Sequence, residues 1–293
     1  MPGGFMPIED PMNRAALAKQ GMFRMPMADT PILPFYGGAY DGGFVALHPF
    51  VTIDGLDPAQ CEHGTHIVER SEIPDGVDIV AWADEHRAGE RKNMVIDADQ
   101  VDHAAKIRGR PVGWRQMSEA VGFTDHLALN RALRTHIRAL RPEFADPEGA
   151  AKLVAHCAQR RIFLPTEGEF QPVMERAMLR FLTAAGLDRI IWADEFDADS
   201  AQQICLDDFP SEGRWIEGKA TPDFRPRRLF AGDGSLFVCV DWDSFFTLIL
   251  GSERRLADGR PETCFEGFWC ARETEISWIF QEPLPLVGTP WAG

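Results

Sequence analysis

From Gln171 to Ala185 apolar residues recur every three or four positions: Val173, Met174, Ala177, Met178, Phe181, Leu182 and Ala185. That period places them on one stripe of a helix, with Pro172 near its start and Gly186 after its end. Four more helices are punctuated before it. Asp97, with Gln100 three residues on, opens one that Gly109 and Pro111 end. Arg115–Val121 is stopped by Gly122. Thr124 caps a longer helix running to Leu140, and Asp146-Pro147 starts another that reaches about Arg161.

The pattern changes on either side of this helical stretch. Downstream, "RIIWADEF", "SLFVCVDW", "EGFWC" and "EISWIF" are rich in aromatic and branched residues and predict strands. "AGDGS" ahead of Ser235–Trp242 predicts a tight turn. "DSFFTLIL" fits either a buried strand or a helix capped by Asp243 or Ser244. Upstream, Phe44–Ile53 predicts a strand broken by Pro49, and Val77–Trp82 a second one. Residues 1–43 are punctuated too often by Pro and Gly for regular structure, apart from a short helix from Arg14 to Gln20. Helices followed by strands predict an α+β fold. It would have an irregular arm at 1–43 and a single domain at 44–293, with a helical part at 97–186 packed on a mostly antiparallel sheet at 189–281. The arm reads as a strap on its own domain.

Composition narrows the setting. Acids outnumber bases, 45 to 30, for a net charge of −15. Six scattered cysteines are no disulfide framework. The opening residues lack the apolar core of a signal peptide, and the apolar run Phe245–Leu250 is too short to cross a bilayer. The expectation is a cytoplasmic protein that does not engage membranes.

Charge is uneven, however. Lys106–Arg141 carries eight Lys/Arg against two acids, a local +6 that leaves −21 on the remainder. Such an island marks a contact surface. It contains a helix–turn–helix text: Trp114–Val121, a turn at Gly122-Phe123, then Thr124–Leu140. "MSEAVGFTDHLALNRALR" resembles the second helix–turn–helix of arabinose-regulator-type transcription factors, through Met117, Ala120, Val121, Gly122, Phe123, Arg131 and Arg134. It departs from that family at Leu129, where an aromatic is usual, and has no second unit. The resemblance implies a DNA-binding face of Arg131, Arg134 and Arg138, opposite Leu133, Ile137 and Leu140, with Arg115 nearby.

Cys61, His63 and His66 are three soft-metal ligands within six residues, with His48 as a fourth candidate, and would suit zinc. Their spacing matches no zinc module. Asp194, Glu195, Asp197 and Asp199 lack the glycine and terminal glutamate of a calcium loop. Asp241 and Asp243 flank Trp242, as a strand end and helix cap. The chain contains no GxSxG elbow, no phosphate loop and no dinucleotide fingerprint.

Four stretches, Leu47–Val51, Gly109–Gly122, Trp242–Gly251 and Glu266–Phe280, resemble a family of uncharacterised bacterial proteins, a domain of unknown function. The resemblance covers about residues 45 to 280 and implies no activity. The function expected from charge is non-catalytic binding of a protein partner, or of a second copy, through the acidic surface, as in an immunity protein. The alternatives are the DNA-binding regulator and a metal-dependent enzyme built on Cys61, His63 and His66.

Overall fold

The computed structural model describes residues 25–64, 73–74, 76–78, 81–82, 94–193, 201–208 and 228–290. Its helices are α1 (Ile32–Phe35), α2 (Ala98–Arg108), α3 (Trp114–Val121), α4 (His126–His136), α5 (Pro147–Arg160), α6 (Glu175–Ala184) and α7 (Glu253–Gly259). Its strands are β1 (Gly42–Leu47), β2 (Phe50–Ile53), β3 (Gly109–Val112), β4 (Ile162–Phe163), β5 (Arg189–Ala193) and β6 (Gln202–Cys205). They continue with β7 (Arg228–Phe230), β8 (Leu236–Val240), β9 (Phe246–Gly251) and β10 (Gly267–Trp269). Seven strands form one antiparallel sheet in the order β10-β1-β9-β8-β7-β5-β6, and β3-β2-β4 form a second. The fold is α+β.

The large sheet is buried on both faces at its centre, which explains why "LFVCV" and, apart from Thr247, "FTLIL" are apolar runs rather than alternating ones. Alternate residues divide between two cores. Val45, Leu47, Cys239, Leu248 and Leu250 pack with α3, α4 and α5; Phe44, Ala46, Val238, Val240 and Ile249 pack with α6 and α7. A third cluster joins Val51, Ile53 and Phe163 of the small sheet to Val101, Ala104 and Ala105 of α2. Across that boundary Lys106 of α2 and Glu175 of α6 form an ion pair of 2.8 Å, both side chains almost wholly buried.

The helix punctuation acts as the sequence predicts. Asp97 and Gln100 form a reciprocal capping box, and Gly122 ends α3 at φ 85°. Asp125 rather than Thr124 caps α4, its carboxylate accepting from Ala128 N at 2.9 Å. α4 also stops at His136, because Arg138 turns to φ 60°. Gln171–Ala185 opens as a 3-10 turn at Pro172–Met174 before α6 begins.

Several strand expectations are corrected. "EISWIF" is a turn and a 3-10 helix, Trp278–Phe280. Its aromatics suggested a strand, but Trp278 is a wedge against Trp114, Phe246 and Phe268. Ala81 and Trp82 are helical, with Asp78 accepting from Ala81 N, so Val77–Trp82 is not a strand; residues 79–80 lie outside the described set. Residues 246–251 are strand, and Asp241-Trp242-Asp243 form a hairpin turn with Asp243 at φ 45° rather than a helix cap. The arm also contributes core: Ile32, Tyr36, Ala39 and Tyr40 are buried against Phe237, and Gly42 and Gly43 already belong to β1. The expected helix Arg14–Gln20 lies outside the described residues.

Pro49 breaks the Phe44–Ile53 run, and the break is where the chain passes from the large sheet to the small one. His48, fully buried at this junction, takes Thr247 Oγ1 at 2.9 Å on its Nε2, and its carbonyl accepts from the Trp114 indole at 2.7 Å. Beside it, the buried Glu266 carboxylate accepts from the backbone N–H groups of Trp114 at 2.6 Å and Arg115 at 3.1 Å. These are the first free donors of α3, so Glu266 caps that helix from the far side of the sequence. Burial pushes the Glu266 carboxyl above the usual range, against the opposing pull of the two amides and Arg115. A Cβ at Gly113 would come 2.5 Å from Glu266 Oε2, so the helix start must be glycine for this approach. The four stretches that carry the family resemblance each send a residue to this knot: His48, Trp114, Thr247 and Glu266.

Two of the buried histidines predict the acid behaviour. Burial lowers His48 to about 3 and His126, held between Phe268 and Trp278, to about 4. The unfolded chain protonates both near 6.5, well before the folded one does. Their contribution is therefore complete above about pH 6.5 and is lost as pH falls towards those lower values, by about 1.4 kcal/mol per pH unit for each ring. Urea midpoints should fall steeply from pH 6.5 to 4.5, and His126→Phe should reduce that slope by the share of one ring.

Candidate ligand-binding site

A cavity of about 170 Å³ opens between α4, α5 and the segment that follows β4. Its walls are mainly Leu133, Ile137, Val154, Ile162, Leu164 and Phe245. Among the described residues, His63, His136 and Cys157 bring polar side chains to it.

Each is placed by ordinary chain chemistry. After β2, Asp57 caps a 3-10 turn at Pro58–Gln60, and Cys61 bridges to Ile96, which carries the chain to His63. The His63 ring stands edge-on to Phe163 at 5.0 Å, and its Nε2 meets the Leu164 carbonyl at 2.7 Å. A carbonyl only accepts, so Nε2 carries the proton and Nδ1 of the neutral ring keeps a lone pair. His136 is the last residue of α4. Asp146 caps α5 through Gly149 N, and Arg161 at φ 55° ends it, turning the chain into β4. That helix sets Val154, Cys157 and Ala158 along the cavity.

Burial lowers both imidazoles, slightly opposed at His63 by the Leu164 carbonyl and Asp102. They are neutral at pH 7. Burial pushes the Cys157 thiol up to about 12, so it stays protonated and is no nucleophile. Apart from His63 Nε2, the ring nitrogens of these two histidines have no hydrogen-bond partner among the described residues.

Cys61 packs with α2 in the third core cluster, whereas His63 faces the cavity; His66 lies outside the described residues. Among the described residues no three His, Cys, Asp or Glu side chains gather to hold a metal. His48 is engaged in the sheet junction. Asp194, Glu195, Asp197 and Asp199 lie outside the described residues.

The arginines of the basic island are dispersed. Arg115 binds the Gly288 carbonyl at 3.0 Å and lies 3.9 Å from Glu266. Arg131 and Arg134 are half-buried, and Asp243 and Asp241 act on the Arg134 guanidinium. Arg138 lies past the helix, in the left-handed region. No residue of α4 is exposed. α4 is packed between α3, α5 and the Trp278–Phe280 turn.

His136 and Glu266 were missed in the sequence. His136 follows Leu133 by three positions on the apolar side of α4, a signal that it faces inward; nothing local marks Glu266.

The chain belongs to a family described as "Protein of unknown function (DUF2711)", which matches residues 28–280. The match begins ahead of α1, in agreement with the arm's share of the core. Among individual proteins, the chain is similar to the "Uncharacterized protein YwbB" of Bacillus subtilis (strain 168), 24% identical over 189 residues. That likeness covers 64% of this chain and 80% of the relative. No solved structure matches. Among the described residues no helix is long and apolar enough to cross a membrane.

Proposed function

We propose that this protein is a binding protein for a small uncharged molecule, held in the cavity between α4 and α5. The observation that carries this reading is the pairing of two neutral, largely partnerless imidazoles with an otherwise apolar wall. A concave apolar site with a few convergent polar groups is the usual form of a ligand pocket. The reading departs from the acidic-surface expectation, for which the cavity offers no argument.

Ala158 is exposed at the cavity edge, so a large side chain there blocks the mouth without disturbing the core. In a thermal-shift screen of small neutral compounds, ligands should raise the Tm of the native protein and leave Ala158→Trp unmoved. Equal shifts in both proteins would remove the cavity as the site.

A further inference from the structure

Resting on that ligand-binding reading, we propose that the occupant is a neutral single-ring phenol, its hydroxyl engaged by His63 and His136. Three features of the cavity converge on this class.

Size comes first. A dry engineered cavity of about 150 Å³ accommodates benzene, and the present one, at about 170 Å³, has room for one ring with a small substituent. A flexible alkyl alcohol of equal volume would lose more rotational freedom on binding than a rigid ring.

Charge comes second. Among the described residues, no lining side chain is Asp, Glu, Lys or Arg. A carboxylate or ammonium ligand would leave water without meeting a counter-ion, at a cost of several kcal/mol. Phenols titrate near pH 10, like tyrosine, and enter uncharged.

Hydrogen bonding comes third. The His63 Nε2 proton is committed to Leu164, so this ring offers the cavity an acceptor. The His136 ring, with no partner among the described residues, offers an N–H or a lone pair according to its tautomer. A group that donates to one imidazole and accepts from the other satisfies both, and a hydroxyl does so without carrying charge. An alkyl amine, like the lysine side chain, would be protonated at neutral pH.

The test is titration calorimetry of the full chain at pH 7.5 with phenol, toluene and benzoate. Phenol should bind saturably, and toluene and benzoate at least tenfold more weakly. His63→Leu and His136→Leu, confirmed as folded by circular dichroism, should each weaken phenol about tenfold and leave toluene unchanged. If toluene binds as tightly as phenol, or neither substitution weakens phenol, the hydroxyl class is wrong, and the cavity reading stands only where Ala158→Trp abolishes the binding. If no aromatic binds but other neutral compounds give shifts that Ala158→Trp abolishes, the phenol class alone is overturned. If no compound shifts the Tm at all, both proposals fall.

Discussion

Lys106→Met should lower the unfolding free energy by about 3–5 kcal/mol, because it removes the ammonium paired with the buried Glu175 carboxylate. The two side chains meet at 2.8 Å, and only 3% and 2% of their surface is exposed. Charges this deeply buried have given up their hydration, and the partner's attraction compensates only while both are present. Glu175→Leu should cost a similar amount by removing the carboxylate paired with the Lys106 ammonium. The double variant Lys106→Met/Glu175→Leu should be more stable than either single one, since apolar groups of similar volume replace the pair. Urea unfolding of the four proteins closes the cycle. Additive losses in the double variant would show that the pair does not act as a unit. The pair joins α2 on the small sheet to α6 on the large one, so it bears on how the two layers stay together.

The second large effect is expected at Glu266. Glu266→Ala removes the acceptor of two helix-start amides, Trp114 N and Arg115 N, and the carboxylate nearest the Arg115 guanidinium. Leaving buried donors without a partner costs about 1–3 kcal/mol for each, so a loss of about 3–4 kcal/mol is expected. Glu266→Gln should lose less, about 1–2 kcal/mol, because its carbonyl oxygen still accepts one of the amides. The measurement is denaturant unfolding with Trp fluorescence, since Trp114 sits at the affected helix start. Equal stability of Glu266→Ala and the native protein would mean that other groups or water satisfy α3. Gly113→Ala makes a control for geometry: a methyl group there meets Glu266 Oε2 and should displace the same carboxylate.

These two sites differ in how visible they are in the sequence. Lys106 and Glu175 lie on stretches that the apolar period marks as helical, yet nothing local says that either points inward. Glu266 sits in "CFEGFWC", a strand-like text in which an acid looks like an exposed alternate position. Its role depends on a helix start about 150 residues away. Burial of charge is a property of what packs opposite, and that information is not local.

The candidate site shows the same division. Cys61, His63 and His66 stand out by spacing, but a thiol and an imidazole two residues apart face different neighbours once β2, β4 and α5 are packed. The basic island is just as conspicuous in the text. In the fold Arg134 is half-buried, Arg115 turns towards Glu266 and Gly288, and no residue of α4 is exposed. A helix–turn–helix pattern encodes two helices and a glycine turn, and those are present. It does not encode which face remains open.

What the sequence determined by itself was local: the α+β order, the caps at Asp97 and Asp146, the stop at Gly122, the strand break at Pro49 and the apolar runs of the large sheet. Backbone hydrogen bonds and side-chain period act over a few residues, so these can be read directly. Tertiary structure alone decided that part of the arm joins the core, that "EISWIF" is a wedge rather than a strand, and that His63, His136 and Cys157 share a cavity. Those outcomes depend on contacts between residues far apart in the chain, where burial on both faces of one sheet overrides local propensity.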